Sequence, residues 1–141
     1  MKRVYVQEQW CLACHLCEYA CAFVNSGQKD MSKALKGVKI NPCIRIEERG
    51  NISFAVNCRH CEEPLCLKSC ISGAISVKDG VVHIDQEKCV GCYTCVLACP
   101  YGAIMPANSG KVMQKCELEM EGGEPACVAA CPNRAIVFEE R

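Results

Sequence analysis

The chain has 141 residues, and its sixteen Lys and Arg balance sixteen Asp and Glu, so the formal net charge is zero. No basic stripe is left to hold a nucleic-acid backbone. Three Phe and one Trp give a thin apolar core, whereas sixteen cysteines are far above ordinary usage. Metal sites are therefore expected to supply much of the folding free energy.

Val4 and Val6 alternate with polar neighbours in residues 3–8, which predicts a first strand. A helix is predicted from Cys17 to about Asn25, and residues 26–37, with Ser, Gly, Lys and Asp, read as a surface loop. Residues 43–57 read as a hairpin turning at Arg49, Gly50 and Asn51. A second hairpin follows: Ile75 and Val77 alternate, Asp79-Gly80 turns, and Val82 and Ile84 return. The uncharged stretch 90–110 has about the length of a membrane span. Pro100, Gly102, Pro106 and Asn108 interrupt it, so it reads as cluster-wrapping loop and short helix, with a helical turn after Cys95. Residues 135–138 supply a last strand, expected to pair antiparallel with the first.

Fifteen of the cysteines fall into four groups. They are Cys11, Cys14, Cys17 and Cys21; Cys58, Cys61, Cys66 and Cys70; Cys89, Cys92, Cys95 and Cys99; and Cys116, Cys127 and Cys131. The third group, followed by Pro100, reads C-x2-C-x2-C-x3-C-P, a run that binds [4Fe–4S] clusters. Paired C-x2-C units also suit zinc. The triple spacing suits three corners of a cubane better than one tetrahedral ion, so iron–sulfur ranks ahead of zinc. Disulfides rank last, because Glu8 and Gln9 break the apolar stretch that a secretory signal would need after Lys2 and Arg3.

An internal repeat organises the chain. Cys70-Ile-Ser-Gly-Ala-Ile75 matches Cys99-Pro-Tyr-Gly-Ala-Ile104, and Cys131-Pro-Asn-Arg-Ala-Ile136 echoes both. In the two-cluster pattern the fourth cysteine of each run ligates the other run's cluster. One cluster then takes Cys58, Cys61, Cys66 and Cys99, and another takes Cys89, Cys92, Cys95 and Cys70. By the same logic Cys11, Cys14 and Cys17 take Cys131, while Cys116, Cys127 and Cys21 hold the remaining site. The cysteine expected three residues after Cys116 is Glu119. Four outcomes are open there: a three-iron cluster, ligation through the harder oxygen of Glu119, Cys43 as the missing thiolate, or no stable fourth cluster. Altered ligation is preferred to an empty site. Cys43 is read as a buried small hydrophobe on a strand, opposite Asn57 and facing the inner lobe, in preference to a ligand.

Residues 58–104 resemble a complete two-cluster ferredoxin. The expected fold is α+β, with two pseudo-symmetric bacterial-ferredoxin-like lobes. The inner lobe is residues 58–110, and the outer lobe is built from both chain ends, 1–57 and 111–141, with a β-hairpin inserted at about 41–57. The whole pattern resembles the four-cluster, ferredoxin-like electron-transfer subunits of DMSO reductase, formate dehydrogenase and membrane hydrogenase complexes. The carriers are the four cysteine groups, the hairpin at 41–57 and the ending Pro-Ala-Cys-Val-Ala-Ala-Cys-Pro at 125–132. Within that family, Trp10-Cys-Leu-Ala-Cys-His-Leu-Cys-Glu-Tyr-Ala-Cys21 is similar to the small iron–sulfur subunit serving carbon monoxide dehydrogenase.

The resemblance implies three [4Fe–4S] clusters at low potential and a fourth site of [3Fe–4S] type or with a non-standard ligand. It implies an electron-transfer subunit with no catalytic site of its own. The expected donor is a cytoplasmic carbon monoxide dehydrogenase in an anaerobic setting, and the acceptor a hydrogenase or flavin oxidoreductase. The alternatives are a subunit of a formate dehydrogenase, molybdopterin reductase or hydrogenase, a free polyferredoxin, and a zinc-stapled interaction module. Free ferredoxins are strongly acidic, whereas this chain is balanced and carries a hairpin for docking. His15, His60 and His83 show no obvious carboxylate partner in the sequence. His15 and His60 read as loop fillers beside cluster cysteines, with donation to sulfur as the sharper reading, and His83 as exposed. Trp10 reads as a packing cover for the cluster beside it, and Lys111 and Lys115 as solvated.

Overall fold

A computed structural model describes residues 2–26, 29, 30, 32, 33, 36, 41–118, 120, 121 and 123–140. Glu119, and much of the segment read as a surface loop at 26–37, lie outside the described residues. The chain divides into two compact units, Met1–Asn57 with Leu118–Arg141, and Cys58–Glu117. Among the described residues no helix is long and apolar enough to cross a membrane.

In the first unit, β1 (Arg3–Val6) and β10 (Ile136–Glu139) pair antiparallel, with Val4 opposite Phe138 and Val6 opposite Ile136. The ladder is extended by the amide of Gln7, which donates to the Ala135 carbonyl at 2.7 Å. Helix α1 spans Leu16–Ser26 and buries Cys17, Cys21 and Ala22. It packs against the short helix α4 (Ala126–Ala130), which buries Ala126 and Cys127. Strands β2 (Arg45–Arg49) and β3 (Ile52–Val56) form a second antiparallel ladder, closed by the left-handed Gly50. Its register starts at Arg45 opposite Val56, so Cys43 stands in a bend before the ladder and not on a strand. The short β8 (Met120–Glu121) and β9 (Glu124–Pro125) lead into α4.

The second unit is built on helices α2 (Leu65–Ser69) and α3 (Thr94–Ala98), which pack on each other, and the antiparallel pair β4 (Ile75–Lys78) and β5 (Val81–Ile84). The unit runs on to Glu117 because β6 (Met105–Pro106) pairs with β7 (Met113–Gln114). That return buries Met113 beside Ile75, Val82, Ile84, Cys95 and Ile104. Half-buried Cys66, Cys70, Cys89 and Cys99 pack on the same cluster, so sulfur is part of the core. Each large aliphatic buried there stabilises by roughly 1.5–3 kcal/mol.

Helices α2, α3 and α4 are five residues each, too short to persist alone. Each holds one cysteine near its start, Cys66, Cys95 or Cys127, and each ends at the next, Cys70, Cys99 or Cys131. Those last three turn extended, and their amides bond back into the helix at 3.1–3.3 Å. Three residues beyond each stands a left-handed residue, Gly73, Gly102 or Arg134. An Ala-Ile pair follows with both side chains buried: Ala74 and Ile75, Ala103 and Ile104, Ala135 and Ile136. The sequence repeat is thus a repeat of backbone and burial.

Candidate metal centres

A cavity of about 260 Å³ in the second unit is lined by Cys58, Cys61, Cys66 and Cys99, with Pro64 and Lys115 in its wall. A smaller one in the same unit is lined by Cys70, Cys89, Cys92 and Cys95. In the first unit Cys11, Cys14, Cys17 and Cys131 surround a third. The geometry comes from the short loops between cysteines. Ala13, His60 and Gly91 precede the second cysteine of their runs, and His15 and Tyr93 follow theirs, all with positive φ. Such left-handed residues swing successive sulfurs to one side of the loop. At Gly91 a β-carbon would also stand 2.4 Å from the Lys111 carbonyl oxygen, so this position needs glycine twice over.

Amides and hydroxyls point at the sulfurs. The amide of Ala135 donates to Cys131 Sγ at 3.2 Å, that of His60 to Cys58 Sγ at 3.5 Å, and the Thr94 hydroxyl to Cys92 Sγ at 3.4 Å. Burial raises the Cys66 thiol pKa, with the charges of Cys58 and Cys99 adding and Lys115 opposing. Burial likewise raises Cys95, and burial with the Glu18 charge pushes Cys17 up to about 12. Cys70 moves the other way: against its desolvation, the Ser72 hydroxyl and the amides of Ala74 and Ile75 lower it. Cys92 is lowered by the Thr94 hydroxyl and amide.

Four soft sulfurs around each cavity suit a cubane, whose corners stand apart. Among the described residues no three His, Cys, Asp or Glu side chains converge as a single bound ion requires. Of the cysteines expected at a fourth site, Cys21 on α1 and Cys127 on α4 are buried in the first unit, and Cys116 is buried near the end of the second.

Several side chains depart from their sequence reading. Cys43 meets Cys21: its amide donates to Cys21 Sγ at 3.2 Å, and Asn25 Nδ2 stands 3.4 Å from both sulfurs. Lys115, expected in solvent, is 3% exposed and donates through Nζ to the Cys116 carbonyl at 2.6 Å. His15 does have a carboxylate partner, Glu18, at 2.9 Å; the three-residue spacing on a helix was the available signal. His83 meets Glu117 at 3.4 Å, a partner 34 residues away that no local pattern shows. The ring of His60 is buried and accepts the Val82 amide on Nδ1 at 3.1 Å, so the neutral ring carries its proton on Nε2. Trp10, read as a packing cover, is 52% exposed. Lys111 is exposed.

Residues 49–141 match the model of the 4Fe-4S dicluster domain, and residues 8–24 match a 4Fe-4S binding domain. The chain belongs to the 4Fe-4S dicluster family of ferredoxin-like electron-transfer subunits. It is 40% identical over 148 residues to the electron transport protein HydN of Escherichia coli (strain K12), covering 93% of this chain and 83% of that one. It is 34% identical over 150 residues to an iron-sulfur protein of Rhodospirillum rubrum, covering 94% and 79%. It is 34% identical over 149 residues to one polypeptide of the anaerobic dimethyl sulfoxide reductase of Escherichia coli (strain K12), covering 95% and 71%. This dicluster-family chain therefore carries multiple [4Fe–4S] clusters and serves oxidoreductases as an iron–sulfur electron-transfer subunit.

Proposed function

We propose that the chain relays electrons from a cytoplasmic carbon monoxide dehydrogenase to a hydrogenase or another oxidoreductase, without a catalytic site of its own. The observation that carries the relay is the gathering of Cys58, Cys61, Cys66 with Cys99, of Cys89, Cys92, Cys95 with Cys70, and of Cys11, Cys14, Cys17 with Cys131, each around one cavity. Clusters bound there supply reversible one-electron transfer. The chain's own contribution is to hold and tune. Amides and hydroxyls at Cys131, Cys58, Cys70 and Cys92 stabilise charge on sulfur, and Lys115 stands in the wall of the cavity of Cys58, Cys61, Cys66 and Cys99. Arg59 stacks over Tyr101, 4.7 Å from the ring centre, and both line that cavity. We read the chain as two ferredoxin-like lobes, a reading supported by the repeated helix, cysteine, left-handed turn and buried Ala-Ile pair.

The partner assignment rests on the resemblance of residues 10–21. It is tested by mixing the anaerobically purified chain with carbon monoxide dehydrogenase under carbon monoxide and following visible bleaching. Bleaching within milliseconds to seconds supports the pairing, and none at stoichiometric enzyme refutes it. The likeness to a polypeptide of dimethyl sulfoxide reductase favours a second reading, a molybdopterin reductase partner. Faster oxidation of the reduced chain by such an enzyme than by a hydrogenase would select it.

A further inference from the structure

Twelve of the sixteen cysteines line the three cavities. The remaining four are Cys21, Cys43, Cys116 and Cys127, and all four are buried, at 8%, 3%, 8% and 8% exposure. The position where the sequence pattern wants one more thiolate carries Glu119, a hard carboxylate ill matched to iron–sulfur chemistry. One thiol is missing from the pattern, and one thiol stands outside it.

The position of Cys43 joins the two facts. Its amide donates to Cys21 Sγ at 3.2 Å, the distance at which the Ala135 amide meets Cys131 Sγ at another site. Asn25 Nδ2, one helical turn beyond Cys21, stands 3.4 Å from both the Cys21 and the Cys43 sulfurs, so the two lie within twice that distance. Separated sulfurs facing a shared donor are what neighbouring corners of a cubane need. A cysteine serving only as a small hydrophobe is packed by apolar groups. Here the sulfur meets the Asn25 side-chain amide that also meets Cys21 Sγ, in a bend that follows Asn41-Pro42 and precedes β2. Helix α4, which carries Cys127, packs on the helix that carries Cys21.

Resting on the iron–sulfur reading above, we infer that Cys43 is a thiolate ligand at the site of Cys21 and Cys127, replacing the cysteine absent at position 119, and that Asn25 positions and tunes this pair of sulfurs. The fourth centre then regains the thiolate missing from the pattern and is a [4Fe–4S] cluster, not a three-iron one. No change of oxidation state accompanies the ligation: Cys43 loses its thiol proton to solvent and its sulfur bonds iron.

The test uses the full chain purified anaerobically as wild type, Cys43→Ser, Glu119→Gln and the double variant Cys43→Ser/Glu119→Cys. Iron and acid-labile sulfide per chain are measured with electron paramagnetic resonance before and after dithionite. Wild type is expected to hold roughly sixteen irons, four per cluster. Cys43→Ser should lose between one and four of them and, if one, show an oxidised three-iron signal. Glu119→Gln should match wild type, and the double variant should regain the lost iron. An unchanged count and spectrum in Cys43→Ser overturns the assignment. So does iron loss in Glu119→Gln, failure of the double variant to regain iron, or loss from all sites at once. A wild-type chain without iron and sulfide would instead refute the iron–sulfur reading itself.

Discussion

Glu18 accepts the backbone N–H of Ile46 and so ties helix α1, beside the cavity-lining Cys17, to the first residues of strand β2. Its other carboxylate oxygen meets His15 Nδ1 at 2.9 Å. Hydrogen bonds to charged groups contribute about 1.5–3 kcal/mol each. Glu18→Ala should destabilise the chain by about 2 kcal/mol in denaturant unfolding, with the visible spectrum of the folded protein retained. A loss under 0.5 kcal/mol, the range of ordinary surface substitutions, would show that the carboxylate does not bind the strand.

Lys115 places a buried cation in the wall of the cavity formed by Cys58, Cys61, Cys66 and Cys99, and it opposes the rise of the Cys66 thiol. A positive charge favours the reduced state. Lys115→Gln should lower the midpoint potential of that cluster by on the order of 100 mV, from a unit charge a few ångströms away in a partly polar medium. Redox titration followed by electron paramagnetic resonance reads the shift. If the potential does not move, the lysine serves only through its bond to the Cys116 carbonyl.

Two glycine replacements separate crowding from backbone strain. A β-carbon at Gly91 would lie 2.4 Å from the Lys111 carbonyl oxygen, whereas at Gly73 nothing lies within 4 Å. Both positions are left-handed. Gly73→Ala should cost about 1 kcal/mol. Gly91→Ala should cost about 3 kcal/mol and release iron from the Cys89, Cys92, Cys95 and Cys70 site first. Equal effects of the two in thermal unfolding would contradict the crowding.

In the metal-free chain burial and then Glu18 push the Cys17 thiol from 9.0 up to about 12. Its contribution to stability is whole below about pH 9, where the thiol is protonated folded or unfolded. It is lost as pH rises towards about 12, because the unfolded chain gives up the proton first. Ligation takes the thiolate, so cluster loading has the opposite slope. Reconstitution against a competing iron chelator should go further at about pH 8.5 than at about pH 7, with net proton release on loading. Loading that is independent of pH would contradict this reading of Cys17.

The cysteine runs were the most legible part of the sequence because their chemistry is local. Three intervening residues make one helical turn, so Cys66 to Cys70 and Cys95 to Cys99 each announce a short helix with a cysteine near its start and another at its end. Alternation of Val4, Val6 and Ile75, Val77 announced the strands for the same reason. Cys43, Lys115 and the His83–Glu117 pair were illegible because tertiary approach sets their environments. Cys43 reaches Cys21 from 22 residues away through a bend with no periodic signal. Lys115 follows β7 and stands next to a cysteine, and nothing in its neighbours shows that it is buried. Glu18 was readable from its spacing to His15, but its bond to Ile46 was not.

The most direct test is metal and sulfide analysis of the chain purified without oxygen, with electron paramagnetic resonance on dithionite reduction. The three thiol-lined cavities predict brown protein with iron and acid-labile sulfide in equal amounts, roughly twelve of each and roughly sixteen with the inferred fourth centre filled, and interacting one-electron signals that appear on reduction. Colourless protein, or zinc bound without labile sulfide, would contradict the account at its root.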